Sequence, residues 1–197
     1  AWYRDDSFDQ LGGGTSDTHL SDGAVITTWN SKTRYPEDLS RSGNTFYRRG
    51  FHAARDYVNL PTTRFTVPPE VAAYASGSDQ PFTAFWTVAG STVSGNQTMW
   101  SLSDGTSSGS YLLVRSNGTA WQVERRTNAG VTTTLTASGV TAPDFGPHNF
   151  ILVYDGSAAT LYVDGSAATL TAAGALGGGA CTLTTGGLAC LLRDTAS

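Results

Sequence analysis

Apolar and polar residues alternate in short runs along most of the chain, and clusters of turn residues separate the runs. The clearest runs are 147–154 and 160–163, each followed by Asp-Gly. Asp-Gly tolerates the positive φ of a tight hairpin, so each pair marks the point where a strand reverses. The heptad Asp-Gly-Ser-Ala-Ala-Thr-Leu occurs twice, at 155–161 and 164–170, an offset of nine residues (164 − 155). That offset is one strand plus one turn, which predicts a three-stranded meander.

The same alternation predicts strands along most of the remaining chain. Turn residues recur about every 8–12 residues, which is the rhythm of an all-β sandwich. The strands predicted in this way are 25–29, 82–88, 98–102, 111–115, 120–126 and 131–136. Between them, 31–44 is predicted to be a polar loop and 71–75 a single helical turn. We expect large apolar side chains of the strands to form the core. They are Leu152, Val153, Leu161, Val163, Trp86 and Trp100.

Residues 1–23 show no strand periodicity and are predicted to form an extended N-terminal arm. Aspartates are scattered there among glycine, serine and threonine. Trp2, Tyr3 and Phe8 are too apolar for a simple linker, so we expect them to anchor the arm on this domain or on a neighbouring subunit. The rest of the chain, 24–197, is predicted to form the sandwich.

Composition excludes some classes of partner. The chain has 197 residues, 14% of them charged, and a net charge of −4. One domain of this length can bury a substantial core. A negative chain has no general electrostatic attraction for nucleic acid, so we expect no nucleic-acid partner. No apolar run reaches membrane-spanning length, so we expect no membrane insertion.

The two cysteines, Cys181 and Cys190, lie symmetrically about Thr185-Gly186. If a two-residue turn lies there, the cysteines face each other as a non-hydrogen-bonded pair, which has the closer Cα approach that a disulfide requires. The alternative is two small thiols buried in a β core. The redox compartment would decide between them, so both remain open.

Three separated motifs resemble those of concanavalin A-like (laminin G-like) lectin domains. The first is the main hairpin, which reads His, an apolar run ending in Tyr-Asp-Gly, and then Leu-Tyr-Val-Asp-Gly. The second is 50–61, a strand, a short turn with Asp, and an aromatic-apolar-x-Leu strand; the third is the Phe-Thr strand at 82–88. The resemblance implies an antiparallel β-sandwich of the jelly-roll type that binds rather than catalyses. It also implies a structural role for His148, which matches the histidine that opens this strand in the family.

The resemblance ends near Cys190. Such domains usually close with a strand after the last hairpin, often carrying a Gly-x-Ile-x-Glu-like stretch, and none follows here. We therefore expect that the 24–197 sandwich lacks its closing strand, or that a neighbouring chain supplies it.

No catalytic residues are predicted. Retaining glucanases of this superfamily use Glu-x-Asp-x-Glu or Glu-x-Asp-x-x-Glu, because two carboxyls about 5 Å apart must flank one bond. The only glutamates are Glu37, Glu70 and Glu124, and none has a second acid at i+2 or i+4. The chain is therefore predicted not to be an enzyme.

Candidate binding residues fall into two sets. Many laminin G-like domains bind calcium through aspartates at one rim, so the resemblance implies a calcium site at Asp104, Asp155 and Asp164; the alternative is that each aspartate only makes its turn. No other cofactor is expected. For glycans, we expect an exposed aromatic ring with polar neighbours. The predicted set is Trp121, Arg125, Asp104 and Asn117.

Domains with this Gly-Phe…Asp-Tyr-Val-x-Leu-Pro motif and a Pro-Phe-Thr strand are frequent in bacteriophage structural proteins. The leading hypothesis is a non-catalytic virion protein, either a capsid decoration, a spike or a tail-associated adhesion domain. It would contact other virion proteins or copies of itself and present loops to a host-surface polysaccharide. The alternative is a secreted or surface-bound bacterial carbohydrate-binding module, which would be extracellular. A glycan-active enzyme is the second alternative.

Overall fold

The computed structural model describes most of the chain between residues 3 and 188. The described ranges are 3–10, 26–31, 39–42, 46–52, 55–59, 64–67, 69–89, 95–106, 108–144, 146–171, 176 and 178–188. Together these ranges hold a short helix, α1 (Pro69–Ala73), and eighteen strands. The strands are β1 (Tyr3–Gln10), β2 (Ile26–Ser31), β3 (Leu39–Ser42), β4 (Phe46–His52), β5 (Arg55–Asn59), β6 (Arg64–Val67), β7 (Gly77–Ser78), β8 (Phe82–Ala89), β9 (Gln97–Ser103), β10 (Tyr111–Ser116), β11 (Trp121–Arg126), β12 (Thr132–Ser138), β13 (Pro147–Tyr154), β14 (Ala159–Val163), β15 (Ser166–Ala167), β16 (Thr169–Thr171), β17 (Ala180–Cys181) and β18 (Thr185–Leu188).

All pairings between the described strands are antiparallel. With a single five-residue helix in the described ranges, the fold is all-β, as the sequence predicts. The helix covers most of the predicted helical turn at 71–75. Among the described residues, no helix has both the length and the apolar character needed to span a bilayer.

The strands form two main sheets. The larger sheet has ten strands in the order β1-β2-β3-β6-β18-β9-β10-β11-β12-β16, and the smaller has four in the order β15-β14-β13-β8. Two short pairs, β17-β7 and β4-β5, complete the pairing in the described ranges. The pair β4-β5 is a strand–turn–strand unit that overlaps the segment predicted for 50–61, but Asp56, predicted to lie in the turn, belongs to β5.

Aromatic rings join the inner faces of the two main sheets. Trp86 of β8 stacks on Trp100 of β9 with centroids 5.4 Å apart, and on Phe150 of β13 at 5.3 Å. Trp121 of β11 meets the Phe150 ring edge-on at 4.9 Å. The two sheets therefore share one core, in the face-to-face arrangement of a β-sandwich. Trp86 and Trp100 are buried in that core, as predicted.

The meander predicted from the repeated heptad is confirmed. Strand β14 pairs with β13 on one side and with β15 on the other. The second turn has positive φ at both Asp164 (52°) and Gly165 (82°), which a two-residue hairpin of the mirror-image type requires.

Burial alternates along β13, so Leu152 is fully buried together with Leu161 and Val163 of β14. Val153 is only half-buried, and its prediction as a core residue is wrong. Consecutive residues of a strand point to opposite faces, so Leu152 and Val153 cannot both face the core.

Two segments that looked irregular in the sequence form strands. Tyr3–Gln10, predicted to belong to an arm without periodicity, pairs with β2 at the edge of the large sheet. Leu39–Ser42, predicted to be loop, pairs with both β2 and β6. Backbone hydrogen bonds to neighbouring strands override a polar, turn-like composition in both cases. Trp2 and residues 11–23 lie outside the described ranges.

The turn predicted at Thr185-Gly186 is wrong. Both residues belong to β18, which lies between β6 and β9 and pairs with each of them. A strand that satisfies its backbone on both sides is not a hairpin turn, so the register that would place Cys181 opposite Cys190 does not form. The Cys181 thiol is free and buried, and burial raises its pKa. Cys190, and the segment where the closing strand is predicted to be missing, lie beyond the described residues.

Candidate functional site

Strand β11 presents two different polar environments on its two sides. Trp121, Val123 and Arg125 point into the core and are buried. Gln122, Glu124 and Arg126 alternate with them, as the period of a strand requires. This second side belongs to the outer surface of the large sheet.

The outer surface of β10, β11 and β12 is called the polar face here. Its side chains are polar except for Leu113, and the register places them directly opposite one another on neighbouring strands: Tyr111↔Arg126↔Thr132, Leu113↔Glu124↔Thr134 and Arg115↔Gln122↔Thr136. Directly opposite side chains on one face are close enough for hydrogen bonds. Apart from the buried Glu124 and the exposed Thr132, these side chains are half-buried.

Glu124 is the centre of a hydrogen-bond network on the polar face. The Tyr111 hydroxyl donates to its Oε1 at 2.7 Å. Arg115 Nη2 and the Thr134 hydroxyl both donate to its Oε2, each at 2.7 Å. The Glu124 side chain is 8% exposed. A buried carboxylate needs such partners, so these donors hold it in place.

Arg115 is fixed by two neighbours and remains accessible. Its Nε donates to Gln122 Oε1 at 3.0 Å while Nη2 contacts Glu124, and its side chain is 21% exposed. Gln122 Nε2 in turn donates to the Thr136 hydroxyl at 3.3 Å. A guanidinium group carries five N–H donors, and these two bonds leave others for a ligand. The arrangement is therefore a preorganised set of donors and acceptors.

Tyr111 stays a hydrogen-bond donor in this network. Burial raises the pKa of its hydroxyl, and the Glu124 hydrogen bond and charge raise it further. Because the phenol stays protonated at neutral pH, it donates to the carboxylate. Its half-buried ring adds an apolar surface at one end of the polar face.

The predicted glycan-binding set does not form one site. Trp121 is 2% exposed, and its indole N–H donates to the carbonyl of Thr141 at 2.8 Å. The prediction of an exposed platform is wrong, because the inner side of β11 is covered by the other sheet. Arg125, 4% exposed, is buried on the same side.

Asp104 and Asn117 lie at opposite ends of β10. Asp104 accepts from the backbone N–H of Thr106 at 2.8 Å, and the Asn117 carboxamide accepts from the N–H of Ala120 at 2.8 Å. A six-residue strand spans about 17–20 Å, so the two turns cannot contact one small sugar together.

The three predicted calcium ligands are also separated. Asp155 precedes β14 and Asp164 follows it, so the length of that strand, about 13 Å, lies between them. Asp155 accepts the backbone N–H groups of Ser157 and Ala158, and these bonds lower its pKa. No group of three metal-ligating side chains occurs among the described residues. Asp104 and Asp155 accept backbone N–H groups of their own turns, whereas Asp164 bonds His148 and the N–H of Asn149 on β13.

A second polar cluster lies on the inner side of β11. Arg125 donates to the carbonyls of Leu176 at 3.1 Å and Gly179 at 2.6 Å, and contacts Asp79 Oδ1 at 3.3 Å. The backbone N–H of Gly178, the Tyr154 hydroxyl and the Arg125 charge lower the pKa of Asp79, although burial opposes them. Burial, reinforced by the bond to Asp79, raises the pKa of Tyr154 to about 12. This cluster ties Leu176, Gly178 and Gly179 to the sandwich.

His148 occupies a third polar cluster at the other end of the sandwich. Its Nδ1 lies 2.8 Å from Asp164 Oδ2, and its Nε2 lies 3.1 Å from Asp144 Oδ1. Both contacts are hydrogen bonds when both ring nitrogens carry a proton. The ring is buried against Trp121, so it ties a loop and a turn to β13. This is the structural role expected for His148.

The network on the polar face was not predicted from the sequence. Strand alternation already placed Gln122, Glu124 and Arg126 on one side of β11. The decisive partner, Arg115, lies on the preceding strand, and only the register of β10 against β11 brings it opposite Gln122.

No family model matches this chain, and no curated protein matches it. The resemblance to laminin G-like lectin domains therefore remains a prediction from the three motifs.

Proposed function

We propose that this chain is a non-catalytic adhesion and structural protein of a virion, which binds host-surface glycans through the polar face. The network centred on Glu124 supports the binding role. It differs from the site predicted from the sequence, since the residues that would contact a sugar lie on the opposite side of β11.

The chemistry of the polar face suits sugar hydroxyls. A hydroxyl donates one hydrogen bond and accepts others, so it needs donors and acceptors close together. Arg115 and Gln122 supply both. Arg115 is already held by Glu124 and Gln122 in the fold, so less side-chain entropy is lost when a ligand binds. The Tyr111 ring and Leu113 add half-buried apolar surface for the faces of sugar rings.

Binding without hydrolysis fits the state of the Glu124 carboxylate. A retaining glycosidase needs a nucleophile and an acid about 5–5.5 Å apart, both free to act on the sugar. Both oxygens of Glu124 are already engaged by Tyr111, Arg115 and Thr134. The carboxylate orients neighbouring donors and is not available as a nucleophile.

The virion role is supported by the resemblance of the 50–61 and 82–88 motifs to those of bacteriophage structural proteins. Detecting the chain in purified particles tests it directly. Finding the chain free in culture medium, and absent from particles, would instead favour the secreted carbohydrate-binding module. Release of sugar from a polysaccharide by the purified chain would contradict the non-catalytic assignment.

Glycan binding is tested with purified chain on a panel of neutral and acidic bacterial surface polysaccharides. We expect Arg115→Ala and Gln122→Ala to weaken binding by about tenfold or more, because each removes ligand donors. Thr87→Ala is the matched control, since Thr87 bonds Asn149 on the outer surface of the other sheet. Binding that survives both variants on the polar face, or that fails equally in the control, would refute this site.

A further inference from the structure

Arg126 lies at one end of the polar face. It is opposite Tyr111 on β10 and Thr132 on β12. No carboxylate within the described part of the chain forms an ion pair with it. Its Nε is buried and has no hydrogen-bond partner among the residues that the structure describes. Arg115, on the same face, has Glu124 and Gln122 as partners.

The lack of a partner for Arg126 Nε among the described residues is energetically unfavourable. A buried N–H without a partner destabilises the fold, so such groups are uncommon in folded proteins. A charge at a half-buried surface also interacts more strongly with an opposite charge than it would in bulk water. The buried Nε lies out of reach of a ligand, but an anionic oxygen at the accessible part of the half-buried Arg126 guanidinium would pair its charge.

We propose that Arg126 is the subsite for the acidic group, a carboxylate or a sulfate, of a glycan that lies along the polar face. The inference rests on the proposed glycan-binding function and specifies its ligand as an acidic polysaccharide. Arg126 and Gln122 are four residues apart on the same side of β11, about 13 Å. The acidic group and the neutral hydroxyls therefore occupy different places on one extended ligand.

The electrostatics of the face favour this division. Glu124 lies between the two positions on β11, and Arg115 neutralises it at 2.7 Å. The centre of the face is therefore close to neutral and suits hydroxyl groups. Arg126 keeps its full positive charge and forms charge-assisted bonds, which are about twice as strong as neutral ones. A chain with a net charge of −4 would otherwise repel an acidic polymer.

The test uses three polymers with one backbone: dextran, carboxymethyl dextran and dextran sulfate. We expect the wild-type chain to bind the two acidic polymers more tightly than dextran. Arg126→Gln should weaken binding of the acidic polymers by about tenfold and leave binding of dextran unchanged. Arg126→Lys should retain part of the acidic preference. The carboxymethyl and sulfate polymers show which acidic group is preferred.

Thr87→Glu serves as the control, because it changes the net charge by the same amount on the other sheet. If it weakens acidic binding as much as Arg126→Gln does, general charge explains the effect and the subsite is refuted. If dextran and the acidic polymers bind equally, with losses in Arg115→Ala alone, the subsite is refuted while glycan binding stands. If no polymer here and no polysaccharide of the panel binds, both proposals fail.

Discussion

Arg125 and Arg126 are neighbours in sequence, yet the fold gives them opposite surroundings. Arg125 points inward, where it bonds two backbone carbonyls, contacts Asp79 and lies 5.7 Å from the centre of the Tyr154 ring. Arg126 points outward and has a buried Nε without a partner among the described residues. The same residue type therefore serves the fold on one side of β11 and, in our proposal, pairs with a ligand on the other.

Other polar groups in the described part of the sandwich differ in the same way between its inner and outer sides. On the inner side, the nitrogens of Arg125 and His148 contact loops and turns, so these side chains stabilise the fold. On the outer side, the Glu124 network orients Arg115 and leaves donors accessible. A satisfied, buried polar group indicates a structural role, whereas a half-buried, preorganised one indicates a binding role. Substitutions on the two sides should therefore affect different measurements.

The largest difference in unfolding free energy is expected between substitutions of two neighbouring apolar residues of β13. Leu152→Ala removes a fully buried side chain and leaves a cavity, so unfolding free energy should fall by about 2–5 kcal/mol. Ile151→Ala is the control, because Ile151 is 41% exposed on the outer side, and its loss should be smaller. Urea denaturation curves measure both. A loss below about 1 kcal/mol for Leu152→Ala would mean that the inner side is not the core.

The next largest difference in stability is expected between substitutions of Arg125 and Arg126. Arg125→Met leaves the carbonyls of Leu176 and Gly179 without a donor, so we expect a loss of roughly 2–4 kcal/mol. Arg126→Met removes a buried N–H that has no partner among the described residues, so stability should not fall and should rise by up to about 1–3 kcal/mol. Urea denaturation measures both variants under the same conditions. Equal losses would contradict the assignment of Arg125 to the fold and Arg126 to binding.

Much of the fold was predictable where alternation and turn chemistry agree. The strands from Phe82 to Val163 follow from period-two patterning and Asp-Gly or Asn-Gly turns. The strands β1, β3 and β18 were missed, because their aspartates, serines and glycines are typical of turns and only pairing with other strands stabilises them. A single sequence does not contain that pairing.

The site was less predictable than the fold. Alternation correctly separated the two sides of β11 but could not say which side the other sheet covers. Trp121 was therefore assigned to the surface, although the covering sheet buries it. The Glu124 network needs the register between three strands, which depends on the whole assembled sheet.

The smallest expected effect concerns acid stability at the inner cluster of His148. Burial raises the pKa of Asp164, but the hydrogen bonds from His148 and from the N–H of Asn149 outweigh it, and the net pKa lies below the ordinary value of 3.8. A carboxyl whose folded pKa is below its unfolded value stabilises the fold above about pH 4. That contribution is lost as the pH falls through the folded pKa. Wild-type stability should therefore decline between about pH 5 and pH 3 more steeply than that of Asp164→Asn.

The measurement is a series of urea midpoints across this pH range for both chains. Asp79, Asp104 and Asp155, whose pKa values are also lowered, contribute to the decline of both, so the difference between the slopes isolates Asp164. Asp144→Asn changes the other carboxylate of the His148 cluster, which is 59% exposed, and controls for loss of a charged contact to the ring. Parallel slopes for the wild type and Asp164→Asn would show that this bond does not couple the fold to pH. Asp164 would then make only its turn, as the exposed aspartates of the other turns do.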